Sequence, residues 1–277
     1  MPGSRRSFIT LVVGLAAVGG AVVAIQLFVN ARWHRMAYDL ENQYGVHIEF
    51  DNFEFPLPWR AQGAVAKPSL AMFRPGVLNS LAVDLSHYPP EFLREHVSTI
   101  YVFRHLSIAG QPYGGATDTG KSAIYIHQDW LGDVGAYRDA MGLHHELSSL
   151  LLQSPQATAL RQRWDGINPE GFSYRFGVSS WRNIAAGATD LIGSPSSYEV
   201  GFLCGYGQTS WEDDINTYAQ YLIAKPRLSE RLADKYPRVG AKLNMLRDFY
   251  RDMGYVSRMK SRDASAMPGN IRLSKYF

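Results

Sequence analysis

The chain opens with its strongest hydrophobic pattern, an apolar run from residue 8 to residue 29 that carries no charge. At a rise of 1.5 Å per residue, a helix of this length crosses a hydrocarbon core of roughly 30 Å. Trp33–Tyr44 then shows the period of an amphipathic helix that ends at Gly45, and residues 46–50 alternate as a strand does. The N-terminal part therefore predicts a membrane-spanning helix, a second helix and a strand.

The middle of the chain predicts a series of short elements. Residues 55–76 are rich in proline and glycine, which predicts a loop. The segments that follow predict helices at residues 78–88 and 90–96, strands at residues 99–103, 106–108 and 122–127, and a turn at residues 111–115.

The C-terminal half predicts mainly helices. Asp133 is placed to cap a helix from Val134 to Leu152, which ends before Pro155. Residues 155–200 are rich in turn-forming residues. The remaining helices are predicted at residues 211–224, with Ser210 as the cap, and within residues 227–253.

This order of elements, mixed strands followed by helices, predicts an α+β domain. We place it at residues 31–257. Residues 1–30 form the N-terminal signal or anchor, and residues 258–277 form a polar tail.

The N-terminal segment also resembles an export signal. Residues 4–10 read Ser-Arg-Arg-Ser-Phe-Ile-Thr, which resembles the twin-arginine pattern S/T-R-R-x-F-L-K. A plain signal anchor, with two arginines that keep the N-terminus inside, remains the alternative. No A-x-A cleavage site stands out, which favours an uncleaved anchor. Both interpretations predict a protein of the bacterial inner membrane, with the chain from about residue 31 in the periplasm or otherwise outside the cytoplasm.

The amino-acid composition argues against some classes of function. The 277 residues are 46% hydrophobic and 19% charged, which is ordinary for a globular protein. The net charge of +3 is modest, and no cluster of Lys and Arg interleaved with aromatics is present, so we predict no nucleic-acid partner. Cys204 is the single cysteine and can form neither an intrachain disulfide nor a thiolate metal site by itself.

The candidate chemistry lies at residues 144–149, His-His-Glu-Leu-Ser-Ser. In the zinc-peptidase signature H-E-x-x-H, two histidines one helical turn apart bind zinc and the glutamate activates a water molecule. Here His145 and Glu146 supply the first half of the signature, and Ser149 stands where the second histidine belongs. His144 lies about 100° round the helix and is an alternative ligand or a supporting residue. The alternative interpretation is two structural histidines and a paired glutamate.

A second group of polar residues begins the helix predicted after Ser210. Glu212, Asp213 and Asp214 are consecutive acids there, and one of them is a candidate third zinc ligand. A charged first turn that favours the helix dipole is the alternative explanation.

Together, these strings resemble the zinc-binding metallopeptidases of bacterial envelopes, which are zincin-like proteins with an H-H-E-φ-S-S motif and a later G-F…Y…E-D-F-A segment. The resemblance spans roughly residues 95–250 and includes Gly201-Phe202 in the later segment. It implies a zincin-like fold, zinc as cofactor and a peptide or protein substrate. It also implies Asp213 as a zinc ligand, with Glu212 as the alternative, Glu146 as general base and Tyr206 as the donor to the oxyanion.

Two departures leave two hypotheses open. Ser149 replaces a zinc ligand, and Asp213 is one methylene shorter than the glutamate of the family. The first hypothesis is a membrane-anchored zinc metallopeptidase, in which His144 or His127 supplies the missing ligand. The second hypothesis is a catalytically inactive zincin-fold protein that binds an envelope polymer or a protein partner. The second hypothesis predicts that a serine or an apolar group fills the position of the zinc.

Overall fold

The computed structural model describes residues 3–131, 142–175 and 193–255, with the side chains in these ranges except those of residues 3–19, 22 and 130. The protein has an α+β architecture, in which ten α-helices of the described ranges surround a six-stranded open sheet.

The first helix, α1, runs without a break from Gly3 to Tyr44 and ends at Gly45, whose φ of 69° only glycine adopts at low cost. The predicted helix from Trp33 is therefore the C-terminal part of one long helix. Among the helices of the described ranges, none is both long and apolar enough to span a bilayer. The side chains of most residues in the predicted membrane span, residues 8–29, are not among those described. The span therefore stays a prediction.

Six of the other nine helices in the described ranges overlap segments predicted to be helical, and the helices at residues 57–61, 156–165 and 195–199 were not predicted. The bounds are α2 Leu57–Ala61, α3 Arg74–Ser86, α4 Pro90–His96, α5 Gly142–Leu151, α6 Gln156–Asp165, α7 Pro195–Glu199, α8 Trp211–Ala224, α9 Pro226–Lys235 and α10 Pro237–Asp252.

The sheet is mixed. Its strands are β1 His47–Glu49, β2 Val65–Pro68, β3 Thr99–Ile108, β4 Gln111–Tyr113, β5 Gly115–Asp118 and β6 Ala123–His127. The order along the main path is β1-β3-β6-β5, with β1 and β6 parallel to β3 and with β5 antiparallel to β6. The C-terminal half of β3 also pairs with β2 and β4. Within the described residues, strand β5 is thus an edge strand.

Along β3 and β6 the side chains alternate between the two faces of the sheet, and each face contributes to its own hydrophobic core. Ile100, Val102, Ile124 and Ile126 face the helices, and the buried side chains of α5 pack on that side. On the other side Tyr101 stacks on Tyr125, with ring centroids 4.5 Å apart, in a smaller aromatic cluster. Successive residues of a strand point to opposite faces, so these two strands contribute buried side chains to both cores. The helix that carries the motif, α5, packs on the face of the larger core.

Several local predictions were wrong. Residues 55–76 contain α2 and β2, and the predicted turn at residues 111–115 contains β4 and the start of β5. These strands are three or four residues long and contain Pro or Gly. They therefore form through pairing with β3 and β6 rather than through local propensity.

Other predictions were incomplete or lie outside the description. The strands predicted at residues 99–103 and 106–108 are one strand, and residues 155–200 contain α6 and α7. The first part of the helix predicted from Val134, with its cap Asp133, lies outside the described residues, as does the predicted tail.

Candidate functional site

Helix α5 holds the His-Glu pair between the sheet and the C-terminal helices. Leu143, Leu147 and Leu151 recur every four residues and are buried in the main core. This anchoring sets the rotation of the helix. The two histidines therefore point to different sides of it, with His144 above Ser148 and His145 above Ser149.

His144 is directed toward the α3–α4 region. The Tyr88 hydroxyl lies 2.7 Å from Nδ1 of His144, and the ring of His87 stands edge-on at 5.4 Å. Burial, and to a smaller degree His87, lowers the pKa of His144 well below its usual value, so this imidazole is neutral at pH 7. The structure brings His144 to this buried tyrosine rather than to the downstream acids.

Glu146 is buried against the edge strand. Thr117 on β5 donates a hydrogen bond of 2.8 Å to Oε2 of Glu146, and a Cβ added to Gly115 would overlap Oε1. Burial raises the pKa of Glu146 to about 8, against the Thr117 hydrogen bond, and the neighbouring Glu212 and Asp213 raise it further. The glycine on β5 is what allows the carboxyl group to approach the strand so closely.

Ser149 is engaged at the position of the second histidine. Its hydroxyl accepts a hydrogen bond of 2.8 Å from Nδ2 of Asn216, and it also hydrogen-bonds the carboxyl group of Glu212. Burial raises the pKa of Glu212, and the bond to Ser149 opposes this shift. The serine thus joins α5 to the first turns of α8.

Asp213 closes the turn that leads into α8. Its Oδ2 accepts hydrogen bonds of 2.8 Å from Thr209 and 2.7 Å from Ser210, while the Ser210 hydroxyl caps the backbone N–H of Asp213 at 3.0 Å. Tyr206, in the preceding 3₁₀ turn, also hydrogen-bonds Asp213. Burial and this carboxylate raise the pKa of Tyr206 well above its usual value, so its phenol stays protonated.

His145 faces this group of acids. Its ring centroid lies 6.1 Å from that of Tyr206, and the side chain of Gln220 hydrogen-bonds it. Burial lowers the pKa of His145, and the charge of Asp213 opposes the shift. The imidazole is therefore neutral at pH 7 and able to accept or donate a hydrogen bond.

The third acid, Asp214, has a structural environment that the sequence did not predict. Its Oδ2 accepts hydrogen bonds from Lys242 at 2.7 Å, Trp164 at 2.8 Å and Tyr174 at 2.9 Å, and the carboxyl group is fully buried. Lys242 also donates to the carbonyl of Gly201 at 2.9 Å. One buried ammonium group thus ties α10 to the start of α8 and to the segment that leads to Tyr206.

The predicted site residues fall into two groups. The structure brings His145, Glu146, Tyr206, Glu212 and Asp213 together around the α5–α8 contact. It directs His144 elsewhere, and Nδ1 of the other candidate ligand, His127, accepts the Asp129 N–H at 3.2 Å. Sequence reasoning did not single out Thr117 or Gln220, and it placed Gly115 in a turn without a role at the site, because these roles depend on contacts between distant segments.

The donor set does not fit a zinc centre with three protein ligands. Within the described ranges, no group of three or more His, Cys, Asp or Glu side chains is placed to hold a metal ion. Ser149 supplies a hydroxyl group that Asn216 and Glu212 already engage. Zinc prefers imidazole nitrogen, thiolate or carboxylate, and a catalytic zinc normally has three such ligands.

Comparisons with known proteins add little to this geometry. No protein-family profile and no curated protein matches the chain. Among solved structures, the chain is similar to one described as a "putative zinc-binding metallo-peptidase" from Bacteroides caccae. The sequence identity is 16% and the TM-score 0.48, over 82% of this chain and 86% of that one. A similarity of this extent supports no argument about function, which rests on the site itself.

Proposed function

We propose that the site between α5, α8 and β5 binds an extended segment of a peptide or protein partner. The observation that carries this proposal is the position of Glu146 against the edge strand. In the described part of the chain β5 pairs on one side only, with β6, and an extended peptide adds naturally to such an edge.

The side chains beside this edge suit recognition of a peptide backbone. The Tyr206 hydroxyl donates its single proton to Asp213 and can accept a hydrogen bond, and half-buried His145, one nitrogen of which is bonded to Gln220, offers its other nitrogen to a ligand. Protonated Glu146 donates one hydrogen bond, in addition to those it accepts. These groups match the alternating carbonyl and N–H groups of an extended chain.

Ser149 supports binding without a three-ligand zinc centre. Its hydrogen bonds to Asn216 and Glu212 occupy the position that a second zinc-binding histidine would take. The proposed peptide binding therefore requires no metal ion.

One observation favours hydrolysis of the bound peptide as a second candidate function. A general base works best when its pKa lies near the working pH, and that of Glu146 is about 8. Glu146 would take a proton from water, and Tyr206 would turn its single O–H from Asp213 to the developing oxyanion. Zinc is the cofactor implied for this candidate by the resemblance to metallopeptidases.

Metal analysis and a binding assay distinguish the two candidates. The full chain, its His145→Ala variant and its Ser149→His variant are refolded with excess zinc, and zinc per chain is measured by elemental analysis. Peptide binding without a zinc centre predicts far less than one zinc per wild-type chain, and more zinc in Ser149→His. Fluorescein-labelled unfolded casein should bind the wild-type chain and remain intact.

The opposite result would establish the second candidate. About one zinc per wild-type chain, lost in His145→Ala and kept in Glu146→Gln, would contradict the first proposal if casein is also cleaved and Glu146→Gln abolishes the cleavage. Failure of labelled casein to bind either the wild-type chain or Glu146→Gln would contradict both candidates.

We also propose that residues 1–30 keep the protein in the bacterial inner membrane with the domain in the periplasm. The uncharged run at residues 8–29 and the arginine pair before it support this location. Protease added to spheroplasts should digest the domain, and protection of the domain in intact spheroplasts would contradict the periplasmic location.

A further inference from the structure

The outer edge of β5 presents backbone groups in a register that an added strand can use. Gly115 lies opposite Ile126 in the antiparallel ladder with β6. The neighbouring pair is hydrogen-bonded, because the carbonyl of Gly114 accepts the His127 N–H at 2.8 Å. Hydrogen-bonded and non-bonded pairs alternate along such a ladder, so the N–H and C=O groups of residues 115 and 117 point away from β6. Within the described residues no strand pairs with them.

The chain leaves the described part of the protein close to this edge. The ring centroid of Tyr255, the last described residue, lies 5.7 Å from that of Tyr88, which lies 5.5 Å from that of His144. Glu146, which contacts β5 through Thr117, follows His144 by two residues on the same helix. Residues 256–270, if extended, would span up to about 50 Å. The residues that follow position 270 are therefore within reach of β5.

The last seven residues have the sequence pattern of a short strand. Residues 271–277 read Ile-Arg-Leu-Ser-Lys-Tyr-Phe and contain no Pro, Gly or acid. Apolar and polar residues alternate over residues 271–274, and Ile, Tyr and Phe are enriched in strands. Pro-Gly-Asn at residues 268–270 is a turn signal. The pattern therefore predicts a turn followed by an extended segment.

The charges of this part of the chain complement those beside β5. Residues 256–277 contain a single acid, Asp263, and carry the cations Arg258, Lys260, Arg262, Arg272 and Lys275. The peptide site contains Glu146, half-buried Glu212 and Asp213. No Lys or Arg of the described residues forms a salt bridge with Glu146 or Glu212. Complementary charge of this kind guides a segment to its site and fixes its register.

From the open edge, the reach of the chain beyond Tyr255 and the complementary charge, we infer that residues 271–277 add to β5 as a strand of the same chain. Arg272 or Lys275 then faces Glu212. A foreign peptide must displace this strand, so the chain inhibits its own peptide site. The inference rests on the proposed function and adds the regulation of that site.

Proline substitution tests the competition in the full chain. A segment held on a flexible linker has an effective concentration of about 1 mM, so a strand that binds with a Kd of about 0.1 mM weakens a competitor about tenfold. Proline lacks the N–H that a paired strand donates. Leu273→Pro should therefore bind fluorescein-labelled unfolded casein about tenfold more tightly than the wild-type chain. Ala264→Pro, in the same part of the chain but outside residues 271–277, is the matched control and should bind casein as the wild-type chain does.

Photocrosslinking locates the segment without casein. Benzoylphenylalanine in place of Leu273 is irradiated in the full chain, and the tryptic fragment of residues 105–121 is sequenced by mass spectrometry. Adducts should form within one chain and lie at residues 114–118, and the same probe in place of Ala264 should label these positions much less. Adducts elsewhere in the chain, or only between two copies of the chain, would overturn the inference.

The two measurements separate this inference from the proposed function. Equal casein affinities for Leu273→Pro and the wild-type chain would overturn the inference and leave the peptide site in place. If neither protein binds casein, the proposed function fails, and the crosslink still decides whether residues 271–277 lie on β5.

Discussion

Replacement of Glu146 by glutamine should stabilise the protein at alkaline pH. Glu146 is 7% exposed, and the pKa of its carboxyl group is raised from 4.5 to about 8, chiefly by burial. The folded protein therefore holds a proton between these pH values that the unfolded chain has lost. Stability from this group is fully present below about pH 4.5 and is lost as the pH rises through about 8.

The structure sets the size of this effect. Each pH unit between the two pKa values corresponds to about 1.4 kcal/mol, which gives an upper limit of about 5 kcal/mol. Water that enters the site when Glu146 ionises would reduce the effect. We therefore expect Glu146→Gln to gain about 2–4 kcal/mol relative to the wild-type protein between pH 5 and pH 9.

Urea unfolding at pH 5, 7 and 9 measures this difference. Other titrating groups contribute to both proteins and cancel in the comparison. Glu54→Gln is the matched control, because Glu54 is an exposed carboxylate whose pKa is lowered by Lys121, so it stays ionised over this range. A gain of less than about 1 kcal/mol for Glu146→Gln between pH 5 and pH 9, or an equal gain for Glu54→Gln, would refute the reasoning.

The remaining predictions concern the support of the site. Lys242→Met should cost about 3–5 kcal/mol in urea unfolding, because it leaves the Asp214 carboxylate buried without its cation. Adding Asp214→Asn should recover more than half of that loss, and a purely additive result would contradict the coupling. Gly115→Ala should cost about 1–3 kcal/mol and weaken casein binding, since its Cβ would displace the carboxyl group of Glu146. An unchanged midpoint would exclude the close contact. Ser210→Ala should cost about 1 kcal/mol through loss of the helix cap, as thermal unfolding can show.

Elements with a strong local signal were predictable from the sequence. Helix α8 has the predicted bounds, Trp211–Ala224, and Ser210 caps it as predicted, since a hydroxyl before an apolar periodic run satisfies a free N–H of the first turn. Strand β6 alternates strongly over residues 123–127 and was also predicted. In contrast, β4 and β5 were missed, because Pro and Gly weaken their local propensity and only neighbouring strands stabilise them.

The candidate site also combines features that the sequence determines with features that only the tertiary structure decides. The sequence by itself determined that His145, Glu146 and Ser149 share one region of a helix, because the helical period depends only on spacing. Only the tertiary structure decided that His144 turns to Tyr88, that Ser149 is engaged by Asn216, and that Lys242 neutralises Asp214. These partners are 28 to 67 positions apart in the chain. No local pattern encodes such pairs, because the cost of burying a polar group is met by whichever partner the packing of distant segments brings within reach.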